Sequence, residues 1–304
     1  MTYLLTGGAG FIGSHTVDAL LARGARVRVL DNLSTGRREN LPAHPALELM
    51  VGDIRDADAV ARAMDGVTHV LHLAAQVSVA ASVDAPCDSA SHNLTGFLAV
   101  LDAARRTGVR RVVYASSAAV YGTPARLPID ETTPAAPLSP YGLEKLVNDQ
   151  YAQLFGALYG LSTLGVRYFN VYGPRQDPRS PYSGVISIFC DRLRGGEPLT
   201  LHGDGRQTRD FIYVGDVARA NVVALDATLT GVCNVATGHS TSLLDLAATL
   251  GAVSGRAPAL RFGPPRAGDI RDSAADNRRL VTALGVSGFT PLADGLRRLW
   301  DAAA

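Results

Sequence analysis

A tyrosine and a lysine four residues apart carry the chemistry that stands out in this sequence. Tyr141 and Lys145 lie in the segment SPYGLEK, where Pro140 is typical of the start of a helix. A helix would place the phenol and the ammonium on one face. A free tyrosine ionises near pH ~10, but a nearby cation stabilises the phenolate. The pair indicates a tyrosine base, although this spacing alone is frequent by chance.

Hydroxyl groups precede this pair at the end of an apolar run. The segment YASS ends at Ser116 and Ser117. A strand that ends there delivers both hydroxyls to the edge of a sheet. The order of strand end, paired serines and Tyr-xxx-Lys is hard to obtain by accident, so we expect these groups to share a site.

A glycine-rich segment near the beginning of the chain predicts a dinucleotide site. In TGGAGFIG, Gly7 permits a tight turn, Gly10 lets the backbone approach a pyrophosphate and Gly13 allows close packing of helix on sheet. The second predicted strand ends at Asp31, near the ~20-residue offset of a carboxylate that binds the adenosine ribose. Together the two features favour NAD.

Further residues fall where an extended dinucleotide would lie. Asp53-Ile54 ends the third strand, where the carboxylate either meets the adenine amine or caps the next helix. The small residues of Leu73-Ala74-Ala75 end the fourth strand. Asp31 would repel a 2′-phosphate; Arg37 and Arg38 could neutralise one, but we favour their being solvated surface residues.

The elements that must position these groups follow an alternating pattern. Amphipathic stretches with helical spacing, such as Ser14–Arg23, Asp56–Met64 and Asn93–Thr107, separate short apolar runs. Such runs are typical of buried parallel strands. The pattern predicts an α/β fold, a doubly wound parallel Rossmann sheet, from the runs Tyr3–Thr6, Val27–Leu30, Leu47–Val51, His69–Leu73, Val112–Ala115 and Thr163–Arg167.

From Asn170 onward, Gly-Pro, Asp-Pro and Gly-Gly pairs interrupt shorter elements. We expect a smaller C-terminal α/β substrate domain there. Phe211–Val214 and Val232–Ala236 look like strands that rejoin the first sheet. The predicted division is therefore 1–169 plus about 211–238 for the NAD-binding domain, and 170–210 plus 239–304 for the substrate domain.

Composition narrows the classes of partner. Of 304 residues, 47% are hydrophobic, and 29 Lys+Arg against 28 Asp+Glu give a net charge of +1, which offers no basic footprint for nucleic acid. Cys87, Cys190 and Cys233 lack disulfide or zinc spacing, and we expect no metal site. Without a signal peptide or an apolar run of ~20 residues, we expect a cytoplasmic protein that does not bind membranes.

The sequence resembles the extended short-chain dehydrogenase/reductase family, and within it the UDP-glucose/UDP-N-acetylglucosamine 4-epimerases. Matching segments run along nearly the whole chain: TGGAGFIGSH, DNLSTG, GDIRD, HLAA, YASSAAVYG, SPYGLEK, RYFNVYGPRQ, DGRQTRDFIYVGDVA and PPRAGDIRDS. The resemblance implies an NAD-dependent isomerase acting on UDP-hexoses. In the implied reaction, Tyr141 removes the 4-OH proton, a hydride passes to NAD, and the 4-keto sugar turns before the hydride returns.

The resemblance also assigns residues. Tyr141 is the base, Lys145 binds the nicotinamide ribose and Ser117 lies beside the sugar 4-OH. The expected substrate contacts, to diphosphate, uridine ribose and sugar, are Ser117, Asn170, Arg209, Arg266, Asp269 and Ser273. The expected cofactor contacts are Gly7, Gly10, Phe11, Ile12, Gly13, Asp31, Asn32, Asp53, Ile54, Leu73, Ala74, Ala75, Tyr141 and Lys145.

Three alternatives differ from this reading in identifiable ways. Related dehydratases and decarboxylases place an acid soon after the catalytic hydroxyl, where this chain has Ala118 and Ala119. A UDP-glucuronate-type 4-epimerase stays open, because it differs by a few polar contacts. A non-catalytic binding protein is disfavoured, since such members usually lack the tyrosine or the lysine.

Two finer expectations concern substrate size and assembly. Relatives restricted to plain hexoses carry a tyrosine where this chain has Ser273, so we expect N-acetylated UDP-hexoses to be accepted, unless the local alignment is shifted or Ser273 is an exposed loop residue.

Helices Asn93–Arg106 and Tyr141–Tyr159 carry more apolar residues than one sheet face requires. We therefore expect a homodimer.

Overall fold

The computed structural model describes residues 1–177, 184–264 and 271–302. Its strands alternate with helices through the first half of the chain. The strands are β1 (Thr2–Thr6), β2 (Arg26–Asp31), β3 (Leu47–Val51), β4 (His69–His72), β5 (Arg111–Ser117), β6 (Ser162–Tyr168), β7 (Asn170–Tyr172), β8 (Leu199–His202), β9 (Thr208–Tyr213), β10 (Gly231–Val235), β11 (Ser240–Ser242) and β12 (Leu260–Gly263).

The helices cover both faces of the central sheet and build the second unit. They are α1 (Phe11–Ala22), α2 (Ala57–Met64), α3 (Val79–Asp84), α4 (Pro86–Ala90), α5 (Phe97–Thr107), α6 (Pro140–Tyr159), α7 (Val185–Arg194), α8 (Val214–Asp226), α9 (Leu243–Ser254), α10 (Arg278–Ala283) and α11 (Leu292–Ala302). A π-helical turn at residues 91–96 joins α4 to α5.

The central sheet has seven strands in the order β10-β6-β5-β4-β1-β2-β3, and all its pairs are parallel. The strand order reverses beside β1, which pairs with β2 on one side and β4 on the other. In open α/β sheets, this switch point opens a ligand crevice at the carboxyl ends of the strands. The doubly wound Rossmann prediction is confirmed.

The core lies on both faces of this sheet because alternate strand residues point in opposite directions. On β1, Leu5 packs with α1 and α8 in one buried cluster, whereas Leu4 packs with α2 and α5 in another. Both leucines are fully buried. This two-sided burial explains why the parallel strands are nearly continuous apolar runs.

One expected strand lies elsewhere. Val232–Ala236 does supply β10, which pairs with β6 at the sheet edge, but the expected strand Phe211–Val214 does not rejoin the central sheet. Its first three residues lie in β9, which pairs with β7 and β11 in a separate three-stranded sheet, and Val214 begins α8. The chain then turns into α8, which packs against α1. An apolar run predicts a strand, but it does not identify the strand's partner.

The helix expected from Asn93 begins later than predicted. Asn93 lies in the π-helical turn, and α5 begins at Phe97.

Within the described residues, no helix is long and apolar enough to cross a membrane. The same residues contain no group of three His, Cys, Asp or Glu side chains placed to hold a metal ion.

Candidate active site

The glycine-rich loop between β1 and α1 has the shape that a dinucleotide requires. Gly7 has a φ of 69°, and a Cβ there would lie 2.7 Å from the Ala74 nitrogen. At Gly13 a Cβ would lie 2.2 Å from the Gly7 oxygen. At Gly10 a Cβ would approach one described neighbour, the Gly7 oxygen at 3.2 Å, so this position is tight but less crowded than Gly7 or Gly13. The loop can therefore accept the close approach of a pyrophosphate.

The amino end of α1 is suited to an anion. Its N-cap is Gly10, and in the described structure no side chain caps this end and no acidic residue lies in the first turn. The amide groups of Phe11 and Ile12 begin the helix, where free N–H groups and the helix dipole favour negative charge. The geometry fits a diphosphate above these residues.

Asp31, at the end of β2, is buried and fastens the glycine loop. Its Oδ2 accepts a hydrogen bond from the Ala9 amide at 2.9 Å, and its Oδ1 accepts one from the Leu33 amide at 2.8 Å. A carboxylate has further lone pairs after these two bonds. Asp31 can therefore hold the loop and still accept from the ribose hydroxyls.

Asn32 and Asp53 lie together at the neighbouring strand ends. The Asn32 amide donates to Asp53 at 3.0 Å, and Arg55 pairs with the same carboxylate at 2.8 Å. The hydrogen bond from Arg55 holds the pKa of Asp53 well below its usual range. The cap of α2 is Asp56, which accepts from two amides of the first turn, so the helix-cap interpretation of Asp53 is wrong.

The four remaining cofactor candidates lie near the ends of β3 and β4. Ile54 is buried against the core, and Leu73, Ala74 and Ala75 are partly buried beside Gly7. Their position at the end of β4 matches the path expected for the cofactor.

The two arginines that raised the possibility of NADP differ in their surroundings. Arg37 pairs with Asp177 at 2.8 Å, and its amide donates to the Ala9 carbonyl. Arg38 is exposed. The Arg37 guanidinium is therefore paired with a carboxylate. Asp31 lies against the glycine loop, where its negative charge would repel a 2′-phosphate.

Tyr141 stands in the first turn of α6. Ser139 caps the helix by accepting from the Gly142 amide, Pro140 occupies the first helical position, and the Tyr141 amide donates to Ser82 of α3 at 3.1 Å. Burial raises the pKa of Tyr141, and its hydrogen bond with the Ser117 hydroxyl lowers it. The sequence-predicted partners Ser117 and Tyr141 are thus in contact.

Lys145 follows one turn later, as the helical spacing predicts. Its Nζ lies 5.7 Å from the centre of the Tyr141 ring and donates to the Ala115 carbonyl at 3.0 Å. Burial lowers the pKa of Lys145 to about 8, while the Asp149 and Glu144 carboxylates act in the opposite direction. A cation at this distance stabilises a phenolate.

Ser117 ends β5 and begins a short 3-10 turn. Its Oγ accepts from the Ala119 amide at 3.1 Å, which fixes the hydroxyl at the sheet edge. In register, Ser117 pairs with Tyr168 of β6, and the chain reaches Asn170 two residues later. Ser117 and Asn170 therefore lie at or just after the carboxyl ends of two paired strands, β5 and β6.

Asn170 and Arg209 lie on two neighbouring strands of the three-stranded sheet. The side-chain amide of Asn170 donates to the backbone carbonyl of Asp210 at 3.2 Å, and β7 pairs with β9. The Arg209 guanidinium donates to the carbonyls of Thr208 and Arg271. Asp210 is fully buried and binds the Thr237 and Gly238 amides, so it anchors the loop after β10 to this strand.

Ser273 is only 8% exposed, so the exposed-loop interpretation is wrong. Its amide donates to the Thr208 carbonyl, and its own carbonyl accepts from Ser240. The same segment places Ala275 in a buried cluster with Ala118 and Leu146, the neighbours of Ser117 and Lys145. Arg266 and Asp269 lie outside the described residues.

Two histidines near the expected cofactor path are packing residues. His72 is buried against Phe97 and bonded to Thr6, and burial lowers its pKa to about 3. His15 contacts the Pro174 carbonyl at 3.0 Å.

Several buried charges near the site were not predicted from the sequence. Asp149 pairs with Arg167 at 2.9 Å and also binds Ser116, and Glu144 accepts from Ser89 and Asn93. The spacing of Asp149, four residues after Lys145 on α6, was the available signal. The partners come from distant segments, which the sequence pattern does not reveal.

Comparison with known proteins points to one family. Residues 3–236 match the model of the NAD dependent epimerase/dehydratase family. The putative UDP-glucose 4-epimerase of Methanocaldococcus jannaschii is 41% identical over 298 residues, which cover 97% of this chain and 96% of that protein.

Two solved structures have the same fold along nearly the whole chain. A UDP-glucose 4-epimerase of Thermus thermophilus, in complex with NAD, has a TM-score of 0.92 and 42% identity, covering 99% of this chain and 98% of that one. A UDP-N-acetylglucosamine 4-epimerase of Methanobrevibacter ruminantium, in complex with UDP-N-acetylmuramic acid, has a TM-score of 0.94 and 37% identity, covering 99% and 97%.

Proposed function

This chain belongs to the NAD dependent epimerase/dehydratase family, whose cofactor is NAD, and we propose that it inverts C4 of UDP-linked hexoses. The observation that carries the proposal is the contact of Ser117 with Tyr141 and the placement of Lys145 one turn later, beside a loop that fits a dinucleotide. The relatives named UDP-glucose 4-epimerase support the choice of substrate.

Each residue at the sheet edge has a distinct task in this proposal. Tyr141 takes the proton from the sugar 4-OH and later returns it, while Ser117 orients that hydroxyl. Lys145 holds the ribose of the nicotinamide half and favours the phenolate. The chemistry that bound NAD supplies is removal of the hydride from C4 and its return to the opposite face.

The substrate end must hold the nucleotide while the sugar turns. Arg209 is on β9, which pairs with the strand of Asn170, and its guanidinium is suited to bidentate contact with a diphosphate. We assign Asn170 and Arg209 to this anchor, with Arg266 and Asp269 as proposed contacts to phosphate and uridine ribose. With the diphosphate fixed, rotation of the sugar exchanges the face presented to the cofactor.

The small side chain of Ser273 extends the proposal to N-acetylated hexoses. Ser273 is buried, and Ala275, two residues later, lies in a cluster with Ala118 and Leu146, which directly follow Ser117 and Lys145 in the sequence. A serine at this wall leaves room for an acetamido group. The similarity to a UDP-N-acetylglucosamine 4-epimerase agrees with this assignment. We therefore propose interconversion of UDP-GlcNAc and UDP-GalNAc alongside UDP-Glc and UDP-Gal.

One substrate panel tests both the proposed C4 inversion and the proposed acceptance of N-acetylated sugars. Wild-type protein and Ser273→Tyr are assayed with UDP-glucose, UDP-N-acetylglucosamine and the corresponding uronic acids. We expect the wild type to turn over both hexose types without added oxidant. In Ser273→Tyr, kcat/KM for the N-acetylated sugar should fall about ten- to a hundredfold, since overpacking costs roughly 1–3 kcal/mol, while UDP-glucose turnover persists.

The panel distinguishes an error in the substrate class from an error in the role of Ser273. A wild type active only on uronic acids would favour the UDP-glucuronate-type alternative. Equal loss on all sugars in Ser273→Tyr would remove Ser273 as the size gate without affecting the proposed reaction. Ser240→Ala is a matched control, because it removes a neighbouring hydroxyl without adding volume.

A further inference from the structure

A buried carboxylate lies on the catalytic helix one residue before Lys145, and no step described above uses it. Glu144 is 4% exposed. Its Oε2 accepts hydrogen bonds from Ser89 Oγ at 2.8 Å and from Asn93 Nδ2 at 2.6 Å. Both donors are themselves buried. Burial of a carboxylate costs free energy, so this side chain calls for a physical explanation.

The contacts of Asn93 extend from Glu144 to the cofactor crevice. Asn93 Oδ1 accepts from the Gln76 amide, and Asn93 Nδ2 also donates to the Gln76 carbonyl, each at 2.9 Å. Gln76 directly follows Ala75, which is expected to line the cofactor site. Glu144 and Asn93 therefore join the catalytic helix to the segment that ends β4.

The charge of Glu144 has no cation bonded to it among the described contacts, because Ser89 and Asn93 are neutral donors. Lys145 instead donates to Ala115. An uncompensated charge in a buried region acts on its neighbours over several ångströms. The carboxylate raises the pKa of Tyr141, in addition to the larger effect of burial, and it opposes the lowering of the Lys145 pKa by burial.

From this arrangement we propose that Glu144 is a positioning residue: it fixes Tyr141 and Lys145 relative to the cofactor crevice, and its negative charge sets the pH range in which the pair works. The proposal rests on the C4 inversion proposed above. It assigns a role to a buried residue whose hydrogen-bond partners are Ser89 and Asn93, and it requires no direct contact of Glu144 with the sugar or the cofactor.

Other charged groups around the pair differ from Glu144 in their surroundings. On α6 itself, Asp149 is neutralised by Arg167 of β6. His72 of β4 is held neutral by burial, which lowers its pKa to about 3. Tyr114 of β5, whose pKa burial raises, is bonded to Asp149. Tyr121, in the 3-10 turn after Ser117, accepts from Arg167, and burial raises its pKa. On the other side, Asp84 of α3 and Asp88 of α4 are exposed, and His92 of the π-helical turn is partly buried.

The decisive variant is Glu144→Gln, which keeps the shape and an acceptor oxygen but removes the charge. Without that charge, the phenolate of Tyr141 is less repelled and the ammonium of Lys145 is less stabilised, so both pKa values fall. We expect the acid and alkaline limbs of the kcat–pH profile with UDP-glucose both to move to lower pH, by roughly 0.5–1 unit, with KM little changed.

Asp88→Asn is the matched control, since it removes an exposed carboxylate one residue from Ser89 and should leave both limbs in place. The double variant Glu144→Gln/Asn93→Asp returns a carboxylate across the same contact and should restore the limbs towards their wild-type positions. It also serves if the single variant does not fold. A folded Glu144→Gln protein with reduced kcat and unmoved limbs would overturn the proposal.

A second readout keeps this test separate from the proposed reaction. Absorbance titration of the phenolate in NAD-loaded protein, taken as the difference between each background and its Tyr141→Phe counterpart, reads Tyr141 without turnover. A lower Tyr141 pKa in Glu144→Gln supports the role of Glu144 even if wild-type protein inverts no UDP-hexose. An unchanged pKa in that titration contradicts it.

Discussion

At the scale of the residue, the reactive groups are tuned by burial and by a few contacts. Burial raises the pKa of Tyr141, whereas its hydrogen bond with Ser117 lowers it. Burial brings the pKa of Lys145 down to about 8, close to neutral pH. A general base is most effective when its pKa lies near the working pH, whereas burial moves the pKa of Tyr141 away from neutral pH. The Tyr141 phenol therefore depends on the Ser117 hydroxyl and on nearby cations to act as a base.

Removing the phenol oxygen separates binding from chemistry. In Tyr141→Phe, the ring and its packing remain, so KM for UDP-glucose and the NAD content should stay near wild type. We expect kcat to fall by about 10²–10⁴-fold because the general base is gone. Steady-state kinetics and NAD released on denaturation measure the two effects. Tyr151→Phe, on the exposed side of the same helix, is the control, and equal activity of both variants would exclude Tyr141 as the base.

At the scale of the element, the β1–α1 junction is tightly packed where the cofactor is expected. The Gly13 position has no room for a side chain, because a Cβ there would lie 2.2 Å from the Gly7 oxygen and 2.7 Å from the Gly8 Cα. Both neighbours are backbone atoms that also shape the loop. A change at this junction should affect stability and cofactor binding together.

Gly13→Ala tests this coupling. Overpacking by one methyl group costs roughly 1–3 kcal/mol, so we expect Tm to fall on the order of 5 °C and most of the NAD to be lost on purification. Differential scanning calorimetry and assay of the bound nucleotide provide the measurements. Gly156→Ala in α6 is the matched control: a Cβ there lies 3.4 Å from its nearest neighbour, and alanine favours a helix. An NAD-replete Gly13→Ala protein would show that the loop is not the cofactor cradle.

At the scale of the whole molecule, α6 presents two different faces. Its inner face carries Tyr141 and Lys145, and its outer face exposes Leu143, Tyr151, Leu154 and Leu158. The apolar residues of α5 are mostly buried in the core, so the excess noted in the sequence is exposed chiefly on α6. We propose this face as the homodimer contact, because a second copy would cover the apolar residues.

A charge on this face should prevent association. Leu154 is 52% exposed in the single chain. We expect Leu154→Glu to elute as a monomer while the wild type elutes as a dimer, because a carboxylate buried in the contact would lack a partner. Light scattering coupled to size-exclusion chromatography gives the mass. Phe262→Glu, a similarly exposed apolar residue on β12, is the control and should remain dimeric. A dimeric Leu154→Glu protein would place the contact elsewhere.

The sequence alone predicted the parts of the molecule that depend on local patterns. Apolar runs predicted the first six central strands, the glycine loop marked the β1–α1 turn, and the spacing of Tyr141 and Lys145 predicted one helical face. Backbone sterics and side-chain periodicity determine these features over a few residues, so they can be inferred without partners.

Only the tertiary structure decided which distant segments meet. It placed β9 beside β7 rather than in the central sheet, buried Ser273 against β9, and joined Glu144 to Asn93 across 51 residues of chain. A strand's composition does not specify its neighbour, and a polar side chain does not reveal whether it is buried or paired. These outcomes depend on how all the elements bury their apolar faces together, which is a property of the folded chain and not of any short segment.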